Sequence, residues 1–174
     1  HYAIAQDNNH GTSELSVLYI AGSWLDFIGK ASKESDGWLK RGKKGLEKKV
    51  DRLVMDDGTF SQYSTNYHRL FLDSISLVEF FRVKFKQKEF GKQFNAKVNL
   101  AIDWLWQLTD PSNGNIPNLG ANDGSQLLQF SRNSYHDFRQ SIQFSSVLFK
   151  GHLSYTKGCN EILNWLNVDL RNIP

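Results

Sequence analysis

Cysteine, proline and long apolar runs are scarce in this sequence, and each scarcity removes a class of answer. One cysteine, Cys159, in 174 residues rules out an internal disulfide and makes a cysteine-based metal centre an unsuitable reading. It has no His or acidic neighbour in sequence to activate it, so a small buried core residue is its expected role. Three prolines are few for the length and favour uninterrupted helices over a loop-rich β fold. No apolar stretch approaches the roughly 20 residues that span a bilayer. HExxH, P-loop and dinucleotide fingerprints are also missing, which leaves no motif for a zinc, nucleotide or nicotinamide cofactor. The chain opens on His1-Tyr2-Ala3, with neither Met nor a basic-then-apolar leader, and ends on Asp169-Leu170-Arg171-Asn172-Ile173-Pro174. Both ends read as cuts, and the expectation is one helical domain, residues 1–174, taken from a longer protein.

What is present is ordinary globular material: 40% hydrophobic and 22% charged residues, with aromatics raised to 13%. The net charge of +3 permits an acidic partner without demanding one. Apolar residues recur at three- and four-residue spacing, which predicts helices over 12–33, 38–55, 64–86, 90–108, 137–150 and 157–166. Asp36-Gly37 reads as the first turn and Asp56-Asp57-Gly58-Thr59 as the second. Gly42 and Gly45 weaken the second helix, since each costs roughly 1 kcal/mol relative to Ala. Residues 110–124 form a long loop rich in turn formers, a length more often functional than incidental. The fold class is therefore all-α, built of stacked antiparallel helical hairpins.

Two segments are too polar for a helical scaffold. Asn8-Asn9-His10-Gly11 precedes the first helix, and residues 56–68 lead into the third. Both set amide, imidazole or phenol groups at helix N-termini, where unpaired N–H groups and the dipole favour an anion. If alternate helices run parallel, both segments lie at one end of the domain.

On these residues the chain resembles the heparinase II/III-type polysaccharide lyases. Asn9-His10, followed by Glu14, Gly22 and Trp24, is similar to the family's Asn-His motif. Asp57-Gly58, Ser64 and Tyr67-His68 match its "DG…E-x-S-x-x-Y-H" signature, with Gln62 in place of the Glu. The segment from Pro117 to Gly124 resembles its later "P…GD-x-D-G", keeping Asp123-Gly124 and departing at Ala121-Asn122. The resemblance implies part of an incomplete (α/α) toroid, with a β-sandwich domain absent here that brings an essential His and any metal site. It also implies β-elimination on an acidic, uronate-containing polysaccharide or oligosaccharide, and a periplasmic or secreted location. Such an enzyme must neutralise the uronate carboxylate, remove the C5 proton and protonate the leaving oxygen. Carried over by resemblance, Asn9 and His10 bind the carboxylate, Tyr67 transfers a proton, and His68, Gln62 and Asp123 bind substrate. No metal or other cofactor is assigned to this chain.

Competing readings accompany each choice. Asn9 and His10 suit a helix cap with a surface histidine, and Tyr67 falls on an apolar stripe that would bury it. His68 is expected to face away from that stripe. The basic run Lys40, Arg41, Lys43, Lys44, Lys48, Lys49 and Arg52 reads as a solvated face, partly balanced by Glu47 and Asp51. No nucleic-acid motif accompanies it. Asp56, Asp57 and Asp123 admit a paired-carboxylate glycosidase. Most of the five Trp belong in the core, but Trp104 and Trp106 cannot face the same way on one helix, so one of them is a candidate for a cleft or for a buried interface with missing helices. Loss of the signature Glu also leaves room for a non-catalytic glycan-binding or scaffold protein.

Overall fold

The computed structural model describes residues 6–129, 131–156, 158–171 and 173. Among them are six helices: α1 (Asn9–Phe27), α2 (Lys33–Leu53), α3 (Thr65–Lys84), α4 (Lys92–Leu108), α5 (Arg139–Lys150) and α6 (Glu161–Trp165). The only pairing of extended chain among the described residues is an isolated bridge between Val54 and Phe60, which closes the turn before α3. The protein is all-α. The part of the last predicted helix that falls on Lys157 lies outside the described residues.

Capping decides where the first hairpin breaks. Asn8 accepts the His10 N–H, so α1 begins at Asn9 rather than at residue 12. It ends at Phe27, where Gly29 takes a left-handed φ of +69° and Lys30 N–H returns to the Leu25 carbonyl. The turn expected at Asp36-Gly37 lies instead inside the first turn of α2. Ser32 and Ser35 exchange hydrogen bonds in a capping box, which satisfies the free N–H groups four residues earlier than the Asp-Gly signal suggested.

Helices α1 and α2 then pack antiparallel and unusually close. Going down the hairpin, Gly22 meets Ser35 and Leu39, Gly42 meets Tyr19, Gly45 meets Leu15, and Gly11 meets Lys49. A Cβ on Gly42 would stand 2.6 Å from the Tyr19 nitrogen and 2.8 Å from its Cα. The helix cost of this glycine is therefore the condition for bringing two backbones together.

Helix α3 runs through the centre. Phe71, Leu72, Ile75 and Val78 are fully buried and join Tyr19, Leu46, Val50, Val98, Ile102 and Leu105 from α1, α2 and α4 in one core. Its far flank meets a second cluster of Phe144, Val147, Ile162 and Leu163 from α5 and α6. Serines make the α3–α5 approach, with the buried Ser76 and Ser145 hydroxyls 2.8 Å apart. Gln143, fully buried on α5, ties down the chain after it: its amide donates to the Tyr155 carbonyl and Asn160, and its oxygen accepts the Ser154 and Tyr155 N–H groups. Cys159 is fully buried in the main core, as its composition suggested.

Candidate functional site

Both polar segments do reach one end of the domain. Gln62, in the turn that feeds α3, accepts the Asn9 N–H at 2.7 Å, so the start of α1 is fastened to the approach to α3. Ser64 caps α3 by accepting the Tyr67 N–H at 3.1 Å, which sets Tyr67 in the first turn, at the mouth of that end. Gln62 thus takes the hydrogen bond that its carboxylate counterpart could have taken, and its observed partner is the helix backbone. No hydrogen bond to the Asn9 side-chain amide occurs among the described residues. His10 is exposed beside it.

The loop 117–125 folds down over the N-terminus of α3. Thr65 donates its N–H to the Leu119 carbonyl and its hydroxyl to that of Pro117, while Ser64 Oγ donates to Ala121 O at 2.5 Å. Gly120 makes the seat possible: its φ is +69°, and a Cβ there would stand 2.1 Å from the Tyr63 carbonyl oxygen. At the end of the loop Asp123 receives the Tyr67 hydroxyl on Oδ2 at 3.0 Å, and the Asn66 amide and Ser125 N–H on Oδ1 at 3.2 and 3.0 Å. Asp123 is thus held by side chains of the first turn of α3, while the backbone N–H groups of that turn go to Leu119 and Ser64. The Ser125 hydrogen bonds and the Tyr67 hydroxyl hold the Asp123 carboxyl below its ordinary value. In return, the hydrogen bond to Asp123 raises the Tyr67 phenol above its ordinary 10, so it is protonated at neutral pH.

Tyr67 is therefore not a core residue, although it sits on the apolar stripe. Its ring is half-buried and its hydroxyl reaches the loop. His68 is the reverse and requires a correction. It is 1% exposed, stacked on Trp104 with ring centroids 4.8 Å apart, and its Nε2 lies 2.8 Å from the Ala101 carbonyl oxygen. His68, Phe71, Leu72 and Ile75 follow one another at helical spacing, which turns the imidazole inward with the core. Burial lowers its pKa to about 4, against the smaller opposing effect of the Ala101 carbonyl, so the ring is neutral and enclosed by the core. Trp106, not Trp104, is the one of the pair left about half exposed.

Beneath the loop lies a polar network that the sequence reading did not single out. Arg69 is completely buried between the rings of Tyr135 and Phe138, 4.4 and 4.2 Å from their centroids. Its guanidinium donates to the Tyr135 carbonyl at 2.6 Å and to Asn66 Oδ1 at 3.0 Å. The Tyr135 hydroxyl lies within hydrogen-bond distance of the same Asn66 oxygen, at 2.8 Å, and of Asn122 Oδ1, at 2.5 Å, with one proton to give to either. A continuous path of hydrogen bonds thus leads from Arg69 through Asn66 to Asp123 and Tyr67. One turn along, Asp73 is fully buried with neither oxygen in a well-formed hydrogen bond. Burial drives its carboxyl up to about 7, with only partial opposition from the Ser141 hydroxyl and the Arg69 charge. Asn66, Arg69 and Asp73 share one face of α3 at spacings of three and four, the signal by which this network could have been found.

A cavity of about 430 Å³ opens beside the network, walled by Thr65, Asn118, Asn122, Tyr135 and His136 among others. Its lining combines amide, hydroxyl, imidazole and apolar groups, Ile116 and Phe138 included. No cluster of three or more His, Cys, Asp or Glu that could hold a metal occurs among the described residues. Asp57 is engaged by its own turn, accepting the Thr59 N–H at 2.8 Å. None of the helices among the described residues is long and apolar enough to cross a membrane.

The family model for the heparinase II/III N-terminus matches residues 1–146 of the chain. No curated protein and no solved structure matches it.

Proposed function

We propose, on the premise that the chain belongs to the heparinase II/III N-terminal family, that it supplies the helical side of a site for β-elimination on a uronate-containing acidic glycan. The observation that carries the reading is the joined corner itself. Gln62 fastens Asn9 to the approach to α3, and Asp123 fixes the phenol of Tyr67 at the same end. Asn9 and His10 bind the uronate carboxylate, which makes the C5 proton more acidic by neutralising the charge beside it. Tyr67 enters the reaction protonated, because its hydrogen bond to Asp123 opposes ionisation, and so protonates the leaving oxygen. Asp123 is a positioning group, since both its oxygens are occupied by protein donors. Gln62 acts in the same way, through the Asn9 backbone. The C5 base comes from outside this chain. A periplasmic or secreted location suits a polymeric acidic substrate.

Incubating the native full-length protein with a panel of uronate polysaccharides, and weighing the products by mass spectrometry, tests this. Elimination leaves fragments whose masses sum to that of the substrate, with one unsaturated uronate. Products heavier by one water would mean hydrolysis and sink the lyase reading. Glycan binding without any cleavage would favour a non-catalytic glycan-binding protein.

A further inference from the structure

Away from the Tyr67 corner, a groove of about 350 Å³ runs between α1 and α2, floored by Leu15 and Gly45. Five cations line it, Arg41, Lys44, Lys48, Lys49 and Arg52, against one acid, Asp7. The excess in this one groove is larger than the +3 of the whole chain, so the remainder of the molecule is close to neutral. The charge is also sorted by face. Glu47 and Asp51, the acids interspersed in the same helix, turn toward the start of α4, where they accept from Gly91 N–H and the Gln93 amide. Lys49 and Arg52 are paired with Asp7, at 2.6 and 2.7 Å. Arg41, Lys44 and Lys48 are exposed, and no acid pairs with them among the described residues. Arg41, Lys44, Lys48 and Arg52 are spaced by three, four and four residues, so they form a ladder on one helix face, rising about 16 Å at 1.5 Å per residue.

The ladder ends beside the candidate site, where Arg52 pairs with Asp7, two residues before Asn9. Lys49 donates to the Gln6 carbonyl as well as to Asp7, and its stem lies against Gly11, one residue from His10. We infer that this ridge is a polyanion-binding extension of the site: a long acidic glycan held at Asn9 and His10 continues along α2, its further carboxylates or sulfates lying over Lys48, Lys44 and Arg41. The inference rests on the glycan reading of the Tyr67 corner. It explains why the cations stand in one row on one face, an arrangement that mere solvation of the helix does not require.

The test uses the native full-length protein and a triple variant, Arg41→Ala with Lys44→Ala and Lys48→Ala, which leaves the pairs to Asp7 intact. Affinity for long chains of polygalacturonate, hyaluronan and heparan sulfate is measured over a range of salt, beside turnover of the shortest oligosaccharide cleaved. The variant should bind long chains about tenfold more weakly, with a salt slope shallower by roughly two, since each lost contact releases fewer counterions. Short-oligosaccharide turnover should be unchanged. A charge-keeping variant, Arg41→Lys with Lys44→Arg and Lys48→Arg, should retain long-chain affinity, which separates lost charge from lost folding. Unchanged affinity and slope in the alanine variant, with turnover intact, would overturn the ladder and leave the lyase reading standing. Single-stranded DNA bound as tightly as the glycans, and lost in the same variant, would overturn the glycan assignment of the ridge. Neither binding nor cleavage of any glycan by the native protein would end both readings.

Discussion

Replacing Asp73 by Asn should stabilise the protein above neutral pH, by an amount that follows from its burial. The folded carboxyl titrates at about 7 against an ordinary 3.8, because it is fully enclosed and poorly hydrogen-bonded. A raised acid pKa means that the folded state holds a proton the unfolded state has released. Stability therefore falls as pH rises from 3.8 to about 7, by about 4 kcal/mol in all. Buried His68 acts with the opposite sign. Its folded pKa of about 4 lies below the ordinary 6.5, so its contribution is complete above 6.5 and about 3 kcal/mol is lost as pH falls to 4. Between pH 4 and 6.5 the two slopes oppose each other, and the unaltered protein should show nearly flat stability. Asp73→Asn removes one slope, so its stability should climb by about 3 kcal/mol over that interval and exceed the parent's by about 4 kcal/mol at pH 8. Urea unfolding at closely spaced pH values reads both quantities. An Asn variant less stable than the parent at pH 8 would refute the reasoning, since it would mean that the ionised Asp73 gains net stability from Arg69.

Three further outcomes follow from the packing. Gly42→Ala sets a methyl 2.6 Å from the Tyr19 backbone and should cost about 2 kcal/mol by thermal unfolding, despite the better helix propensity of Ala. Arg69→Met takes the buried donor from the Tyr135 carbonyl and one of two hydrogen-bond partners from Asn66 Oδ1, and should cost about 1–3 kcal/mol. Hydrogen exchange should then accelerate first at the Thr65 and Ser125 amides, which the docked loop protects. Asp123→Ala should free the Tyr67 hydroxyl and bring its ionisation back toward 10, read by ultraviolet titration against Tyr67→Phe.

How far the sequence could be read differs from element to element, for physical reasons. The α3 stripe of Phe71, Ile75 and Val78 was legible because core burial is periodic. So was the shared end of the Asn9 and Tyr67 segments, which follows from antiparallel hairpins. The start of α2 was not, because the Asp36-Gly37 turn signal lost to a capping box four residues upstream. Gly42 and Gly45 read as defects until the neighbouring helix was in place, since close approach is a property of the pair. His68 turned inward where an outward face was expected, and Tyr67 kept its hydroxyl at the loop rather than in the core, because one residue on a helix is 100° of rotation and only the neighbours decide which falls inward. Arg69 and Asp73 were overlooked because buried charge is rare, yet their spacing from Asn66 carried the signal.

The corner's role in chemistry is tested most directly by the ultraviolet absorbance of the unsaturated uronate, followed during turnover by the native full-length protein and by Tyr67→Phe. The phenylalanine keeps the ring and removes only the hydroxyl that Asp123 holds. The expected result is a steady rise with at least one uronate glycan, a loss of at least about a hundredfold in kcat for the variant, and binding close to unchanged. A Tyr67→Phe protein that cleaves as fast as its parent would contradict the assignment of proton transfer to Tyr67.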